Sequence, residues 1–144
     1  MMRHVLRILL IWAATTLPAG AEQSVSSGDI VVHYSAMTTA DLTPDVASAL
    51  NVSRSRKRAL VVIHAQHVDG AQRQSRAATV RGTSKNLVGQ SRELEFRSVR
   101  DGDAEYAIAT RPVANLETLV FELVVDVEGH PSSLPIRFRQ QFYH

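Results

Sequence analysis

The fold class is decided by the segment Thr118–Val127, which reads TLVFELVVDV. Large apolar side chains occupy every second position: Leu119, Phe121, Leu123, Val125 and Val127. Glu122 and Asp126 lie between them. Because successive side chains of a β-strand point to opposite faces of a sheet, this alternation predicts a strand with one face in a hydrophobic core and the other towards solvent.

Six other segments of the chain show sequence patterns typical of β-strands. They are Asp29–Ala36, Ala59–Val68, Arg76–Thr83, Arg92–Val99, Glu105–Thr110 and Leu134–Phe142. The alternation predicts that Leu94 and Phe96 point inward, and likewise Tyr106 and Ile108. The dipeptide Asp101-Gly102 predicts a tight hairpin, since both residue types tolerate a positive φ.

One short segment, Thr43–Asn51, favours a helix. Thr43 can cap its start, and Pro44 suits the first helical position. The polar, serine-rich stretch Glu22–Gly28 predicts a flexible entry to the domain. Together the elements predict an all-β protein: an immunoglobulin-like β-sandwich of about seven strands with one short helix.

The N-terminus predicts a cleavable signal peptide over residues 1–21. A basic start is followed by an apolar run, and Ala19-Gly20-Ala21 fits the small residues of a cleavage site. The run is about half of the roughly 20 apolar residues that a spanning helix needs, so we expect no membrane span after cleavage. Residues 22–144 are then a single β-sandwich domain, exported to the periplasm through the general secretory route.

The charge balance argues against nucleic acid as a partner. The chain has 16 Lys and Arg against 14 Asp and Glu, and Arg3 and Arg7 leave with the signal. The mature chain is therefore formally neutral, and the calculated pI of about 9.4 partly reflects the export signal. The chain contains no cysteine, which excludes disulfides, thiolate metal sites and thiol nucleophiles.

Several motifs resemble a known bacterial family when they are taken in order. They are His33-Tyr34-Ser35-Ala36, Leu42-Thr43-Pro44, Arg54-Ser55, Gly82-Thr83, Asn86-Leu87, Gly89-Gln90, Leu94-Glu95-Phe96-Arg97 and the ending Phe138-Arg139-Gln140-Gln141-Phe142-Tyr143. The chain resembles the family catalogued as domain of unknown function 4426 over essentially all of its mature length. The resemblance implies a small exported protein of Gram-negative bacteria with an immunoglobulin-like sandwich. It implies no activity, ligand or catalytic residue.

Two segments are candidate binding sites. The basic stretch that contains Arg54, Arg56, Lys57 and Arg58 can hold an anion, a lipid headgroup or an acidic partner. The alternative is a solvated edge that discourages aggregation. The loop with Asn86 and Gln90 can bind a ligand through its amides, or those amides cap their own backbone.

Catalytic and metal sites are not predicted. His64 and His67 are three residues apart on a strand, so they face opposite sides of the sheet, and the spacing shows no third ligand. No nucleophile motif or acid/base pair is recognisable. We therefore expect no cofactor, and a non-enzymatic binding or protein-interaction module whose partner is another periplasmic protein or an envelope component. The alternative is a hydrolase of envelope material whose site is assembled from residues distant in sequence.

Overall fold

The structure is a computed structural model that describes residues 23–144. These residues form ten strands, one α-helix and a 3-10 turn at Thr39–Asp41. The first five strands are β1 (Gln23–Ser27), β2 (Ile30–Thr38), β3 (Arg58–Asp69), β4 (Gln72–Arg76) and β5 (Ala78–Asn86). The others are β6 (Ser91–Leu94), β7 (Arg97–Asp101), β8 (Ala104–Pro112), β9 (Thr118–Val127) and β10 (Leu134–Gln141). The helix α1 (Pro44–Leu50) lies between β2 and β3.

The strands form two antiparallel sheets that face each other. The first sheet has the order β1-β2-β3-β8-β7, and β4 pairs with the far end of β3. The second sheet has the order β10-β9-β5-β6. The prediction of a β-sandwich with one short helix is confirmed. The predicted signal peptide at residues 1–21 lies outside the described residues.

The core between the sheets is built around the inner face of β9. Its five alternating apolar residues are all buried, which confirms the predicted face. The Phe121 ring stacks on Phe138 of β10 at a centroid distance of 4.8 Å, and Phe138 contacts Tyr34 of β2 at 4.9 Å. These rings join the two sheets, and the buried aliphatic side chains Ala59, Val61, Ile63 and Ala65 of β3 complete the opposite wall.

The face of strand β8 that packs into the core is not the face that the sequence pattern predicts. Ala107 and Ala109 belong to the core cluster, whereas Tyr106 lines a cavity beside α1 on the outer face of the first sheet. Ile108 is also buried, although outside that cluster. The prediction was wrong because α1 covers this outer face, so both faces of β8 are apolar and alternation alone cannot distinguish them.

The structure contains more strands than the seven predicted segments. The polar stretch expected to be flexible forms β1, which pairs with β2 from Gln23 to Ser27. The predicted strand Arg92–Val99 splits into β6 in the second sheet and β7 in the first. Glu95 and Phe96 carry the chain across between them. Backbone pairing with a neighbouring strand creates these elements, and side-chain periodicity does not report it.

The helix α1 begins and ends as the sequence predicts. The Thr43 side chain accepts a hydrogen bond from the Val46 amide at 3.3 Å, and Asn51 ends the helix with a φ of 55°. Arg97 of β7 donates to the carbonyl oxygens of Leu50 and Asn51, which ties the helix end to the first sheet. Within residues 23–144, no helix has the length and apolarity needed to cross a membrane.

Gly82 of β5 should be the least replaceable glycine of the described residues. A Cβ added there would lie 2.2 Å from the Glu122 carbonyl oxygen and 2.7 Å from Leu123 Cδ2. We expect Gly82→Ala to lower the free energy of unfolding by about 3 kcal/mol, because the β5–β9 ladder must shift. Gly102→Ala is the control: its φ is 60° and no atom lies within 4 Å of the added Cβ, so we expect a loss of about 1 kcal/mol. Equal losses in urea denaturation would contradict this account.

Candidate functional site

A groove of about 730 Å³ opens at one end of the sandwich, between the two sheets. The residues that line it are Lys57, Asn86, Gln90, Ser91, Arg92, Arg111, Pro112, Val113, Ala114 and Glu117. Three of these side chains are cationic and one, Glu117, is a carboxylate. We call this cavity the basic groove.

Strand register brings these distant segments together. Arg58 pairs with Pro112, which places the start of β3 beside the end of β8. Asn86 pairs with Leu119, so the end of β5 lies beside the start of β9. The two sheets thus end at the same side of the molecule, and the loops that leave them surround the groove.

Arg111 forms the floor of the basic groove. Its side chain is only 11% exposed, and it extends from β8 of the first sheet to the second sheet. In the second sheet, Nη1 donates to the Ser84 Oγ at 2.8 Å. Within β8 itself, Nε donates to the Pro112 carbonyl oxygen at 2.8 Å. Nη2 lies 3.5 Å from Glu117 Oε1. These contacts hold the guanidinium rigidly where the apolar core ends.

The electrostatic state of Arg111 reflects this position. Burial lowers the pKa of the Arg111 guanidinium, the Glu117 carboxylate opposes that effect, and the neighbouring Arg92 adds to it. A partly desolvated cation beside a second cation is a favourable place for an anion, because each positive charge there is incompletely screened by water.

The amide loop contributes to the groove, and it also caps itself. Asn86 Nδ2 donates to Gln90 Oε1 at 2.8 Å, and the Gln90 amide donates to Asn86 Oδ1 at 2.9 Å. The Asn86 amide also donates to the Gln90 carbonyl oxygen at 3.0 Å. The loop-capping alternative is therefore present in the structure. It leaves both side chains at the groove wall in a fixed geometry.

The structure divides the predicted basic stretch. Lys57 lines the groove, while Arg54 donates to the Ala40 carbonyl oxygen at 3.2 Å. Arg58 points to the outer face of the first sheet, where it lies 3.4 Å from Thr110 Oγ1. Arg56 is exposed and does not line the groove. Of the four predicted residues, only Lys57 lines the groove.

Sequence reasoning missed the residues at the centre of the groove, Arg92, Arg111 and Glu117. Arg111 shares the inner face of β8 with Ala107 and Ala109 by its spacing of two. A charged residue in an inward position is a recognisable signal of a polar site. The signal was hidden because the pattern assigned the opposite face of β8 to the core.

Three of the described histidines, His33, His64 and His67, lie on the first sheet, whereas the His144 ring lies 3.2 Å from the carbonyl oxygen of Val113 at the groove. His33 and His64 are cross-strand neighbours with ring centroids 6.1 Å apart, and the His64 ring lies 4.7 Å from Tyr106. His67 Nε2 lies 3.8 Å from Asp29 Oδ2. Between residues 23 and 144 no group of three or more His, Asp or Glu side chains is placed to hold a metal ion.

Comparison with known proteins identifies the family. The profile described as "Domain of unknown function (DUF4426)" matches residues 24–144. The chain belongs to this family. A crystal structure of a DUF4426 family protein from Pseudomonas aeruginosa PAO1 is 33% identical with a TM-score of 0.71, covering 85% of this chain and 94% of that one. The resemblance inferred from the sequence motifs is confirmed.

Two more distant structures share the DUF4426 sandwich. One is a copper-bound variant of FetP from uropathogenic Escherichia coli strain F11: it is 10% identical with a TM-score of 0.59, covering 86% of this chain and 96% of that chain. The other is as-isolated FetP of the same strain, 12% identical with a TM-score of 0.58, covering 88% and 95%. At such identities the likeness shows the fold alone. No curated protein is significantly similar to the chain.

The contact between Arg111 and Ser84 should couple the two sheets of this DUF4426 protein. Ser84 is fully buried, so Arg111→Met leaves its hydroxyl without this donor. We expect Arg111→Met and Ser84→Ala to be non-additive by about 1 kcal/mol in a double-mutant cycle measured by urea denaturation. Arg92→Met is the control, since this exposed side chain should change stability by less than about 0.5 kcal/mol. If the losses in the free energy of unfolding are additive, the hydrogen bond between Arg111 and Ser84 does not couple the two sheets.

Proposed function

We propose that this protein is a non-enzymatic binding module of the periplasm, and that the basic groove is its ligand site. The ligand carries an anionic group, a carboxylate or a phosphate, and belongs to another periplasmic protein or to an envelope component. Export rests on the signal-like features of residues 1–21. The groove rests on the geometry of Arg111.

The observation that carries the proposal is a guanidinium fixed in a partly buried groove beside two further cations. A guanidinium has five N–H donors. The contacts of Arg111 with Ser84, Pro112 and Glu117 use its three nitrogens and need only three of those donors. Donors therefore remain to bind an anion in the bidentate manner that arginine favours. Because the guanidinium is already held in place, binding loses little side-chain entropy.

The lining of the groove favours binding over hydrolysis. A hydrolase needs a pair of carboxylates, or a nucleophile with its base, facing one substrate. Glu117 is the one carboxylate among the described residues that line the groove, and Arg111 engages it. None of the described residues that line the groove is a histidine, and the nearby His144 ring lies 3.2 Å from the Val113 carbonyl oxygen. The arrangement supports recognition of charge more than proton transfer.

Inorganic pyrophosphate and citrate are suitable probes of the groove. We expect either anion to shift the arginine Nε–Hε signals of Arg92 and Arg111 in a ¹⁵N-correlated NMR spectrum. The double variant Lys57→Gln/Arg92→Gln should bind the probe at least about tenfold more weakly, because charged hydrogen bonds contribute about 1.5–3 kcal/mol each. Added salt should weaken binding by the wild type.

The matched control is Arg81→Gln/Arg137→Gln, which removes the same charge from exposed ion pairs with Asp126 and Glu122. We expect wild-type affinity from it. Cross-linking in the periplasm, followed by mass spectrometry, then tests for a macromolecular partner that the groove variant loses and the control keeps. Equal affinities of the two double variants would contradict the proposal.

A further inference from the structure

Exposed apolar side chains are concentrated around the mouth of the basic groove. Among the described residues, five large hydrophobic side chains are exposed: Val46, Leu87, Val88, Leu116 and Tyr143. Leu87 is 66% exposed and Val88 is 82% exposed, at the tip of the hairpin between β5 and β6. The groove residues Asn86 and Gln90 flank this tip directly. An aliphatic pair so fully in water is unfavourable unless it meets an apolar partner.

The opposite rim of the groove carries a second apolar group. Leu116 is 58% exposed in the β8–β9 loop, next to Glu117, and its φ is 61°. Leucine rarely adopts this left-handed region. Tyr143 is 57% exposed, and its hydroxyl donates a hydrogen bond to the Gln141 side chain. The same Gln141 side chain donates to the Leu116 carbonyl oxygen at 3.1 Å, so Tyr143 and Leu116 are linked. Aliphatic and tyrosine side chains thus project on both sides of a cationic groove.

The cavities at the two ends of the molecule differ in the charge of the side chains that line them. A cavity of about 430 Å³ at the far end has three lining carboxylates, Glu105, Asp126 and Glu128, and no lining Lys or Arg. Exposed arginines lie 3.7 Å from Glu105 and 3.9 Å from Asp126, so part of that charge is paired. The far cavity is therefore lined by carboxylates alone among charged side chains, whereas the groove end is lined by three cations and one carboxylate. An anionic surface would attract that end first.

We propose that the groove end docks on an anionic lipid surface. Leu87 and Val88 enter the boundary between headgroups and acyl chains, Leu116 and Tyr143 flank them, and Lys57 and Arg92 face lipid phosphates. This inference rests on the proposed function, since it names the lipid phosphate as the anion of the basic groove. Membrane-surface binding combines these two terms, buried apolar area and attraction between basic side chains and anionic lipids.

A lipid surface suits this end better than a protein partner does. A specific protein interface needs about 800 Å² of complementary surface from each partner. Here the apolar groups are separate protruding tips around a polar groove, without a continuous apolar face. A bilayer accepts such tips because its surface is deformable and presents phosphates between acyl chains. Tyrosine is also a residue type enriched at membrane–water interfaces.

A fluorescence experiment tests the insertion of the hairpin tip. Trp12 is the one tryptophan of the chain, so residues 22–144, which include every described element, contain none. Val88→Trp therefore adds a single reporter, and Val46→Trp on α1 is the matched control at an exposed site that does not line the groove. With vesicles of equal parts phosphatidylcholine and phosphatidylglycerol, we expect a blue shift of emission from Val88→Trp and none from Val46→Trp. Shifts in both, or in neither, would overturn the docking geometry.

Co-sedimentation with the same vesicles tests the energetics. Leu87→Ser/Val88→Ser should bind at least about tenfold more weakly than the wild type, because two aliphatic side chains no longer leave water. Lys57→Gln/Arg92→Gln should lose about fivefold per charge removed. Vesicles of phosphatidylcholine alone should bind weakly. Vesicle binding that the tip variant keeps, or that does not need phosphatidylglycerol, overturns the proposal.

The pyrophosphate titration separates this inference from the proposed function. The tip variant should keep wild-type pyrophosphate affinity, because the substituted side chains do not line the groove. If the wild type binds pyrophosphate and no vesicle, lipid docking is wrong and the groove remains an anion site. If it binds neither, both proposals fail. A dimer in light scattering that the tip substitutions dissolve would show that a second copy covers this end, and would also overturn lipid docking.

Discussion

The structure depends on the burial of one strand face, the inner side of β9, against the opposite sheet. Five apolar side chains of that strand lie in the interior, and Phe121 stacks on Phe138 of the neighbouring strand. A chain without cysteine has no disulfide to hold two sheets together, so apolar burial between them must do so. Deleting a buried phenylalanine side chain costs about 3–5 kcal/mol, a large part of the stability of a small domain.

The basic groove forms where that apolar contact ends. At the end of β8 the inward side chain is Arg111 in place of another apolar residue, and it crosses to Ser84 of the second sheet. Burying a guanidinium is costly unless hydrogen bonds and a counter-charge offset the lost hydration. Ser84, the Pro112 carbonyl oxygen and Glu117 supply these contacts. The same arrangement closes the core and presents a fixed cation to solvent, so stability and the proposed binding share one residue.

The comparisons with known proteins establish the fold and the family, and they assign no function. The family member from Pseudomonas aeruginosa has the same sandwich at 33% identity, and FetP has it at 10–12% identity. A sandwich scaffold of this kind can carry unrelated sites, because its loops and strand ends vary while the core is kept. The function proposed here accordingly rests on the loops and strand ends at one end of the molecule. There, cationic side chains and exposed aliphatic tips lie together.

The sequence by itself determined the strands with one polar and one apolar face, the short helix between Thr43 and Asn51, and the family. Each of these is a local pattern: alternation, capping chemistry or an ordered set of motifs. Only the tertiary structure decided which face of β8 is internal, because α1 covers its other face and both faces are apolar. Only the structure, too, brought Lys57, Asn86 and Arg111 to one groove. Such contacts depend on pairing between strands that are distant in the chain. A local sequence pattern does not indicate which strands become neighbours.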